Sequence, residues 1–278
     1  MLVNPGEAVW FENPGAIGAR NAFIAAGAKL VPVPVDEQGI CVHDGLEKAP
    51  YFRLAFVTPS HQQPLGHVMS LSRRLALLQA AKDAEAMIVE DDYEFEMAFL
   101  RKPSPALKSL DEDGRVIYVG SFSKSLFPGL RLGYLVGSAP FIREARALRA
   151  SVLRHPPGLM QRAAAYFLSL GHYDALIRRT SQAFAERRQV MEAAMAKHGL
   201  TIAGRGAHGG SSFWMQAPEG VDTEVLAARL RDRDVLIEPG RPFFAAEDPP
   251  RNFYRLAYSS IPAERIPEGV ARIAAAIG

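Results

Sequence analysis

Several features that would place this chain in a specialised class are missing from its 278 residues. The single cysteine, Cys41, excludes an intramolecular disulfide framework and is typical of a reducing compartment. No apolar run approaches the roughly 20 residues of a membrane helix. The start, MLVNPGEAVW, has no basic region followed by an apolar one. We therefore expect a cytoplasmic protein with no membrane partner.

Charge of one sign is not in excess either. The 32 basic and 30 acidic residues give a formal net charge of +2, and the basic residues are spread along the chain. Proteins that bind nucleic acid usually concentrate basic residues on one face, so this distribution is a weak argument for such a partner. Nothing in the sequence resembles a helix-turn-helix recognition unit. We expect no DNA binding by this chain itself.

Lysine is scarce, which narrows the choice of a reactive amine. Of the seven lysines, only Lys124 lies in a turn rich in serine and glycine between two apolar segments. The other six are Lys29, Lys48, Lys82, Lys102, Lys108 and Lys197.

The stretch RVIYVGSFSKSLFPGLRLGYLV, residues 115–136, carries the strongest chemical signal. It predicts a strand, a polar turn with Lys124, a Pro-Gly bend, Arg131 and a second strand. Ser121 and Ser123 add hydroxyl groups to the amine and the guanidinium, a set of donors suited to a phosphate. Our hypothesis is that Lys124 forms a Schiff base with pyridoxal 5'-phosphate (PLP).

Predicted strands and helices alternate before Pro140, which favours an α/β fold with a mostly parallel sheet covered by helices. Strands are expected at 7–11, 30–35, 54–57, 86–89, 116–119 and 132–136, and helices at 16–26 and 70–81. Two further helices are expected at 159–170 and 173–198. A smaller α+β unit follows, with strands at 200–202, 212–215, 235–237 and 254–258 and helices at 223–231 and 264–277. We expect a large PLP-binding domain over 1–150, connecting helices over 151–198 and a small C-terminal domain over 199–278.

Asp91 and Tyr93 follow the strand predicted to end at Val89. Sheet-and-helix folds bind ligands at the carboxyl ends of their parallel strands, and side chains two residues apart share a face. A carboxylate at the pyridine nitrogen would keep it protonated and make the ring an electron sink. A phenol beside the 3-oxygen would tune the imine. The surrounding run EDDYEFE is interpreted as a strand end with solvated acids, and we expect no metal site.

Four segments, TPSHQQPLG, IVEDDY, VIYVGSFSKSLFPGLRLGYLV and NFYRLAYSSIP, occur in a characteristic order and spacing. In this respect the chain resembles the aminotransferases of PLP fold type I over essentially its whole length. More narrowly, it resembles the aminotransferase-like domain of MocR-type regulators of the GntR superfamily.

The resemblance implies a role for each candidate residue. Lys124 would be the Schiff-base lysine, Asp91 would contact the pyridine nitrogen and Tyr93 the 3-oxygen. Ser121 and Arg131 would bind the phosphate, and Arg255 would bind a substrate carboxylate. The resemblance also implies a homodimer, because sites of fold type I are built at a dimer interface.

The chain departs from the family pattern at three places. The family domain begins well upstream of Met1, so we expect the large domain to be incomplete at its N-terminus. Ala16 stands where the family usually has an aromatic that stacks on the cofactor ring. Gln63 and Leu65 replace an asparagine and a threonine.

Three functions compete at this point. The first is amino-group transfer from an amino acid or amine through Lys124. The second is sensing of an effector by the aminotransferase-like domain of a MocR-type regulator whose winged helix lies outside these residues. The third is a nicotinamide-dependent dehydrogenase, suggested by Gly15, Gly18 and Asp36 after a predicted strand. That signal is weak, because the dinucleotide fingerprint needs three glycines in G-x-G-x-x-G.

Overall fold

The computed structural model describes residues 2–204, 206 and 208–278; Met1, Arg205 and Ala207 lie outside this description. The described strands are β1 (Ala8–Asn13), β2 (Lys29–Asp36), β3 (Gly39–Ile40), β4 (Leu54–Val57), β5 (Met87–Asp92), β6 (Val116–Ser121), β7 (Gly133–Val136), β8 (Thr201–Gly204), β9 (Ser212–Gln216), β10 (Glu238–Pro239) and β11 (Phe253–Ala257). The described α-helices are α1 (Ile17–Ala25), α2 (Val42–Lys48), α3 (Leu71–Asp83), α4 (Leu107–Leu110), α5 (Ala139–Val152), α6 (Gly158–Ser169), α7 (His172–Lys197), α8 (Thr223–Arg231) and α9 (Ile266–Ile277).

The larger sheet has the strand order β3-β2-β1-β4-β5-β6-β7. Its five central strands are parallel, whereas β3 and β7 pair antiparallel at the two edges. The predicted α/β fold with a mostly parallel sheet is therefore confirmed. Because the central strands share one direction, their carboxyl ends meet at one edge of the sheet, where such folds bind ligands.

Apolar residues alternate between the two faces of this sheet. On β1 and β4, Trp10, Ala55 and Val57 pack into the core on one face. Phe11 and Phe56 pack into the core on the other face. Strands that are buried on both faces have continuous apolar sequences, and these apolar runs allowed β1 and β4 to be predicted.

Helix α3 covers one face, and Ser70 caps its N-terminus. Ser70 Oγ accepts a hydrogen bond from Arg73 N at 3.2 Å. The helix buries Leu77 against the sheet, and it also buries Arg74. Arg74 is held by Glu90 of β5, with Nη1 and Oε1 3.6 Å apart. The helix is thus tied to the strand that carries Asp91.

The smaller sheet is antiparallel, with the order β10-β11-β9-β8. Helices α7, α8 and α9 pack on it around a second core that includes Met195, Phe213, Leu230 and Tyr254. No helix among the described residues is long and apolar enough to cross a membrane.

Most predicted elements are present with small shifts at their ends, and three differences stand out. The predicted strand 235–237 is wrong, because this segment is irregular and pairing with β11 starts only at Glu238. The strand predicted to end at Val89 continues to Asp92 as β5. Three short elements, β3, α2 and α4, were not predicted from the sequence.

Candidate active site

The lysine loop, residues 122–132, joins β6 to β7. Ser121 is paired with Gly133, and Phe122 N donates to Leu132 O at 3.1 Å, which closes the base of the loop. Ser123 N donates to Ser121 Oγ at 3.1 Å. The predicted turn is therefore present, and it follows the carboxyl end of β6. The Lys124 side chain is 46% exposed, so a ligand can reach its amine.

Arg131 lies at the far end of the same loop in an unusual backbone conformation. Its φ and ψ of 51° and 36° are left-handed, which costs a non-glycine residue roughly 1–2 kcal/mol. Its exposed guanidinium has no hydrogen bond or ion pair within the described part of the chain. Non-glycine residues held in this region are concentrated at binding and catalytic sites. This supports the prediction that Arg131 serves a ligand.

Asp91 lies within β5. The sequence had predicted a position after this strand, so that prediction is wrong. It is paired in register with Val119 of β6, two residues before Ser121. Partial burial, followed by the charge of Asp92, raises its pKa to about 6. Its carboxyl group accepts no hydrogen bond from the described residues. A buried acid of this kind gains from a cationic or donor partner.

Tyr93 follows β5, and its ring meets the ring of His61 edge to face at 6.1 Å between centroids. Burial raises the pKa of the phenol well above its usual value, and the charge of Glu94 acts in the same direction. The positive charge of Arg255 opposes this shift. The hydroxyl is therefore protonated, and it makes no hydrogen bond to the described residues.

The expectation that the acids of EDDYEFE are solvated is wrong for three of them, because Glu90, Asp92 and Glu94 are buried. Each has donors in place of water. Glu90 accepts from the backbone N–H groups of Leu107 and Lys108, both at 2.8 Å. Asp92 accepts from the hydroxyl of Tyr118 at 3.0 Å. Buried polar groups need such partners, and the sequence alone does not reveal which donors the fold brings near.

Glu94 joins three parts of the chain. Its Oε1 accepts a hydrogen bond from Ser211 Oγ and lies 3.8 Å from Lys124 Nζ. Its Oε2 lies 3.4 Å from His61 Nε2. Burial lowers the pKa of His61, although the charge of Glu94 acts against this shift. The sequence pattern did not single out Glu94, although this residue directly follows Tyr93.

Glu12, at the end of β1, was also missed. Its buried Oε2 accepts from Thr58 Oγ1 at 2.6 Å and from Gln62 Nε2 at 3.2 Å. Its Oε1 is buried without a partner among the described residues. Burial raises the pKa of Glu12 to about 7, because these hydrogen bonds only partly offset desolvation. Glu12 thereby fixes the loop that carries Gln62 to the end of β1.

Arg255 lies in β11 of the smaller sheet. Its Nε donates to Glu238 Oε2 at 2.6 Å, which leaves the two terminal nitrogens without a hydrogen bond to the described residues. Its positive charge opposes the rise in the pKa of Tyr93 and contributes to the lowered pKa of His61. A cation from the smaller sheet therefore influences Tyr93 and His61 electrostatically.

Two of the three departures from the family pattern, Ala16 and the pair Gln63 and Leu65, lie among the described residues. Ala16 is buried in the core with Phe11 and Phe56, so this position provides no aromatic ring to stack on a cofactor. The backbone N–H of Gln63 donates to Thr58 Oγ1 at 3.0 Å. Leu65 N donates to Gln62 Oε1 at 3.0 Å. These contacts shape the loop through the backbone and not through the side chains of Gln63 and Leu65.

The described residues fit PLP in their chemistry. The set comprises an exposed amine at Lys124, a carboxyl at Asp91, a phenol at Tyr93 and a guanidinium at Arg131. Asp91 lies near the end of β5, Tyr93 follows β5, and Lys124 and Arg131 lie in the loop after the adjacent strand β6. Asp91, Tyr93 and Arg131 have no hydrogen-bonding partner among the described residues. A pyridine nitrogen, a 3-oxygen and a phosphate are the groups that such a set would bind.

A mostly parallel seven-stranded sheet that presents this set at its carboxyl edge defines a PLP-dependent transferase fold of type I. The match with known proteins agrees. Residues 1–273 match the family described as aminotransferase class I and II, and the chain belongs to this family. PLP is the cofactor of the family, and the similar structures described below contain PLP-derived groups.

The most similar relatives include both regulators and an enzyme. The chain is 56% identical to the HTH-type transcriptional regulator TauR of Rhodobacter capsulatus over 277 residues, which are all of this chain and 57% of that protein. It is 39% identical to the probable rhizopine catabolism regulatory protein MocR of Rhizobium meliloti, over 97% of this chain and 54% of that protein. It is 31% identical to aromatic-amino-acid aminotransferase 1 of Thermococcus litoralis, over 100% of this chain and 68% of that protein. The chain thus spans about half the length of the regulators.

Two solved structures show the same fold. Kynurenine aminotransferase of Pyrococcus horikoshii, in complex with PMP, has a TM-score of 0.92 at 29% identity, over 99% of this chain and 70% of that one. LysN, an α-aminoadipate aminotransferase of Thermus thermophilus complexed with N-(5'-phosphopyridoxyl)-L-leucine, has a TM-score of 0.90 at 30% identity, over 99% and 72% of the two chains. None of the relatives named here is a nicotinamide-dependent dehydrogenase, so that alternative is not supported.

Proposed function

We propose that this chain binds PLP through Lys124 and transfers an amino group from an amino acid or amine. The observation that carries the proposal is the arrangement of Lys124, Asp91 and Tyr93 at the carboxyl ends of the neighbouring parallel strands β5 and β6. When bound, PLP supplies an electron sink that stabilises negative charge at the carbon bearing the amino group.

The chain's own residues then have separate tasks. The Lys124 amine anchors the cofactor and afterwards moves the proton at the substrate's α-carbon. The Asp91 carboxylate accepts a hydrogen bond from the ring nitrogen, and the Tyr93 hydroxyl donates to the 3-oxygen. Arg131, Ser121 and Ser123 donate to the phosphate. The terminal nitrogens of Arg255 donate to the substrate carboxylate.

The first test is visible absorbance after addition of PLP to the purified chain. We expect a band that free PLP does not give and that disappears in Lys124→Ala, because only a lysine linkage produces it. Lys108→Ala, which removes a lysine outside the loop, is the control and should keep the band. Absence of the band in the unaltered chain would overturn the proposal.

A second function is favoured by the relatives. Proteins that are 56% and 39% identical are named as regulators, and this chain spans about half of each. We propose, as the alternative, that the domain senses an amino acid or amine for a winged-helix domain elsewhere in a longer protein. Spectral change on adding an amine without release of a keto acid would favour sensing, whereas repeated release would favour transfer.

We also propose a cytoplasmic homodimer. The four residues of β7 are exposed although three are large and apolar, namely Tyr134, Leu135 and Val136. Leu153 and Leu159, which flank the start of α6, are 75% and 80% exposed. Apolar surface of this extent supports an interface between subunits. Light scattering should give twice the mass of one chain, and a monomer at all concentrations would contradict the proposal.

A further inference from the structure

Lys124 has one charged neighbour among the described residues, and it is not a residue of the PLP-binding set. Glu94 Oε1 lies 3.8 Å from Lys124 Nζ. The Glu94 carboxylate is buried, whereas Lys124 is half exposed, so the acid is the fixed member of the pair. The position of the buried Glu94 carboxyl group therefore sets the orientation of the more mobile Lys124 side chain.

Glu94 is itself held from two other segments. Ser211, just before β9, donates from Oγ to Glu94 Oε1. The His61 ring lies on the other side, 3.4 Å from Oε2, and packs against Gly210. A Cβ atom at Gly210 would lie 2.2 Å from this ring, so only glycine leaves room for His61 there. The carboxyl group is thus held by Ser211 through Oε1, and Oε2 lies against the His61 ring without a hydrogen-bond partner among the described residues.

The charge balance singles out Lys124 as the partner. The titratable and charged groups around Glu94 are His61, Tyr93, Lys124, Arg188, Arg255 and Tyr258. Burial lowers the pKa of His61, and it raises those of Tyr93 and Tyr258, so these three are uncharged at neutral pH. Arg188 forms an ion pair with Glu192, and Arg255 forms one with Glu238 through its Nε atom, whereas Lys124 Nζ lies 3.8 Å from Glu94 Oε1.

Burying a carboxylate without a cation is costly, and an anion beside a nitrogen favours the positively charged form of that nitrogen. We infer that Glu94 is a positioning residue for Lys124: it orients the Nζ atom and places its carboxyl group beside this nitrogen. The inference rests on the proposed function of Lys124 as the PLP-binding amine.

The experiment is a pH titration of the visible absorbance of the PLP-loaded chain and of Glu94→Gln. We expect the transition between the protonated and unprotonated forms to move down by about one pH unit in Glu94→Gln, a tenfold loss of proton affinity. Glu94→Asp keeps the charge and should restore part of the shift. Ser211→Ala loosens the carboxylate without removing it and should give a smaller shift in the same direction.

Glu96→Gln is the matched control. Glu96 accepts from the hydroxyl of Tyr173 at 2.5 Å and lies in the same segment, but it does not contact Lys124. Its titration should match that of the unaltered chain. A Glu94→Gln protein that is folded and has an unchanged midpoint would overturn the inference while leaving the proposed function intact.

A measurement without PLP separates the two proposals further. In the PLP-free chain, acetic anhydride should modify Lys124 about tenfold faster in Glu94→Gln than in Glu96→Gln at neutral pH, since only an unprotonated amine reacts. Mass spectrometry of the Lys124 peptide gives the two rates. Equal rates would overturn the inference, whether or not the chain binds PLP.

Discussion

Arg255 and Glu238 face each other across the antiparallel pair of β11 and β10, with Arg255 Nε 2.6 Å from Glu238 Oε2. This contact uses one edge of the guanidinium and leaves the other edge for a ligand. Glu238 is 45% exposed, so its charge is screened, and its main effect is to orient Arg255.

Glu238→Ala should therefore weaken the binding of ligands that have a carboxylate. Ordering a freed arginine on binding costs about 0.5–1.5 kcal/mol, which corresponds to roughly 2- to 12-fold in affinity. Spectral titration of the PLP-loaded chain with an amino acid measures this. The matching amine without a carboxylate should bind equally to both proteins, and Glu224→Ala, which removes another surface ion pair, should bind both ligands normally. An equal loss for the amine would contradict this assignment.

Asp91→Asn should keep the lysine-linked absorbance but lose activity. Asparagine cannot supply the anion that keeps the ring nitrogen protonated, so amino-group transfer should fall by at least about 100-fold. Single-turnover absorbance changes with an amino acid measure the loss. Asp92→Asn is the control, because Asp92 bonds to Tyr118 and is buried among groups outside the set. Similar losses in the two variants would show that the effect is only structural.

PLP binding should become tighter as the pH rises through about 6, because the pKa of Asp91 is raised to that value by burial and by Asp92. Above this pH the carboxylate is ionised and favours a protonated ring nitrogen. Equilibrium titration between pH 5 and 8 tests this. The change in affinity near pH 6 should be absent in Asp91→Asn, and its persistence there would assign it to another group.

Glu12→Gln should stabilise the fold at neutral pH. The folded chain keeps a proton on Glu12 up to about pH 7, whereas the unfolded chain releases it near pH 4.5. The unfolded state binds fewer protons in this range, so the free energy of unfolding falls as the pH rises from 4.5 to 7, by up to about 3 kcal/mol. Glutamine does not titrate, so the variant does not lose this free energy of unfolding. The difference in free energy of unfolding between Glu12→Gln and the unaltered chain, measured by urea unfolding, should therefore increase with pH.

Glu7→Gln provides a control of opposite sign. Hydrogen bonds from Asn4 lower the pKa of Glu7, so this group adds stability above its unfolded pKa and loses it as the pH falls. Its glutamine variant should be less stable than the unaltered chain at neutral pH and equal to it in acid. If both variants respond to pH in the same direction, the assignment of Glu12 is wrong.

Arg74→Met should destabilise the fold strongly. It leaves Glu90 buried without its cation, which typically costs about 3–5 kcal/mol. Urea unfolding measures the change, and the exposed pair of Lys82 and Asp113 is the comparison. Lys82→Met should cost less than about 1 kcal/mol. If the two variants lost similar amounts of the free energy of unfolding, burial of the Arg74–Glu90 pair would not be the cause of the larger expected effect.

Much of the fold could be predicted from local pattern. The strand 54–57 and the helix 223–231 were predicted with their observed ends, because the spacing of apolar residues is a local signal. In the structure the Asp222 side chain caps the helix. The predicted strand 235–237 failed because an apolar run does not reveal where hydrogen bonds begin. That limit is set by Glu238 pairing with Arg255, a partner 17 residues away.

The sequence by itself determined the family, the cofactor chemistry and the candidate residues, since Lys124, Asp91 and Tyr93 stand in a recognisable local order. Only the tertiary structure decided the surroundings of these residues. It showed that Glu90, Asp92 and Glu94 are buried. It also showed that Glu94 contacts both Lys124 and Ser211, and that Ser211 lies 117 residues after Glu94 in the chain. The physical reason is that burial and ion pairing depend on which distant segments meet, whereas residue type and short-range spacing are written directly in the chain.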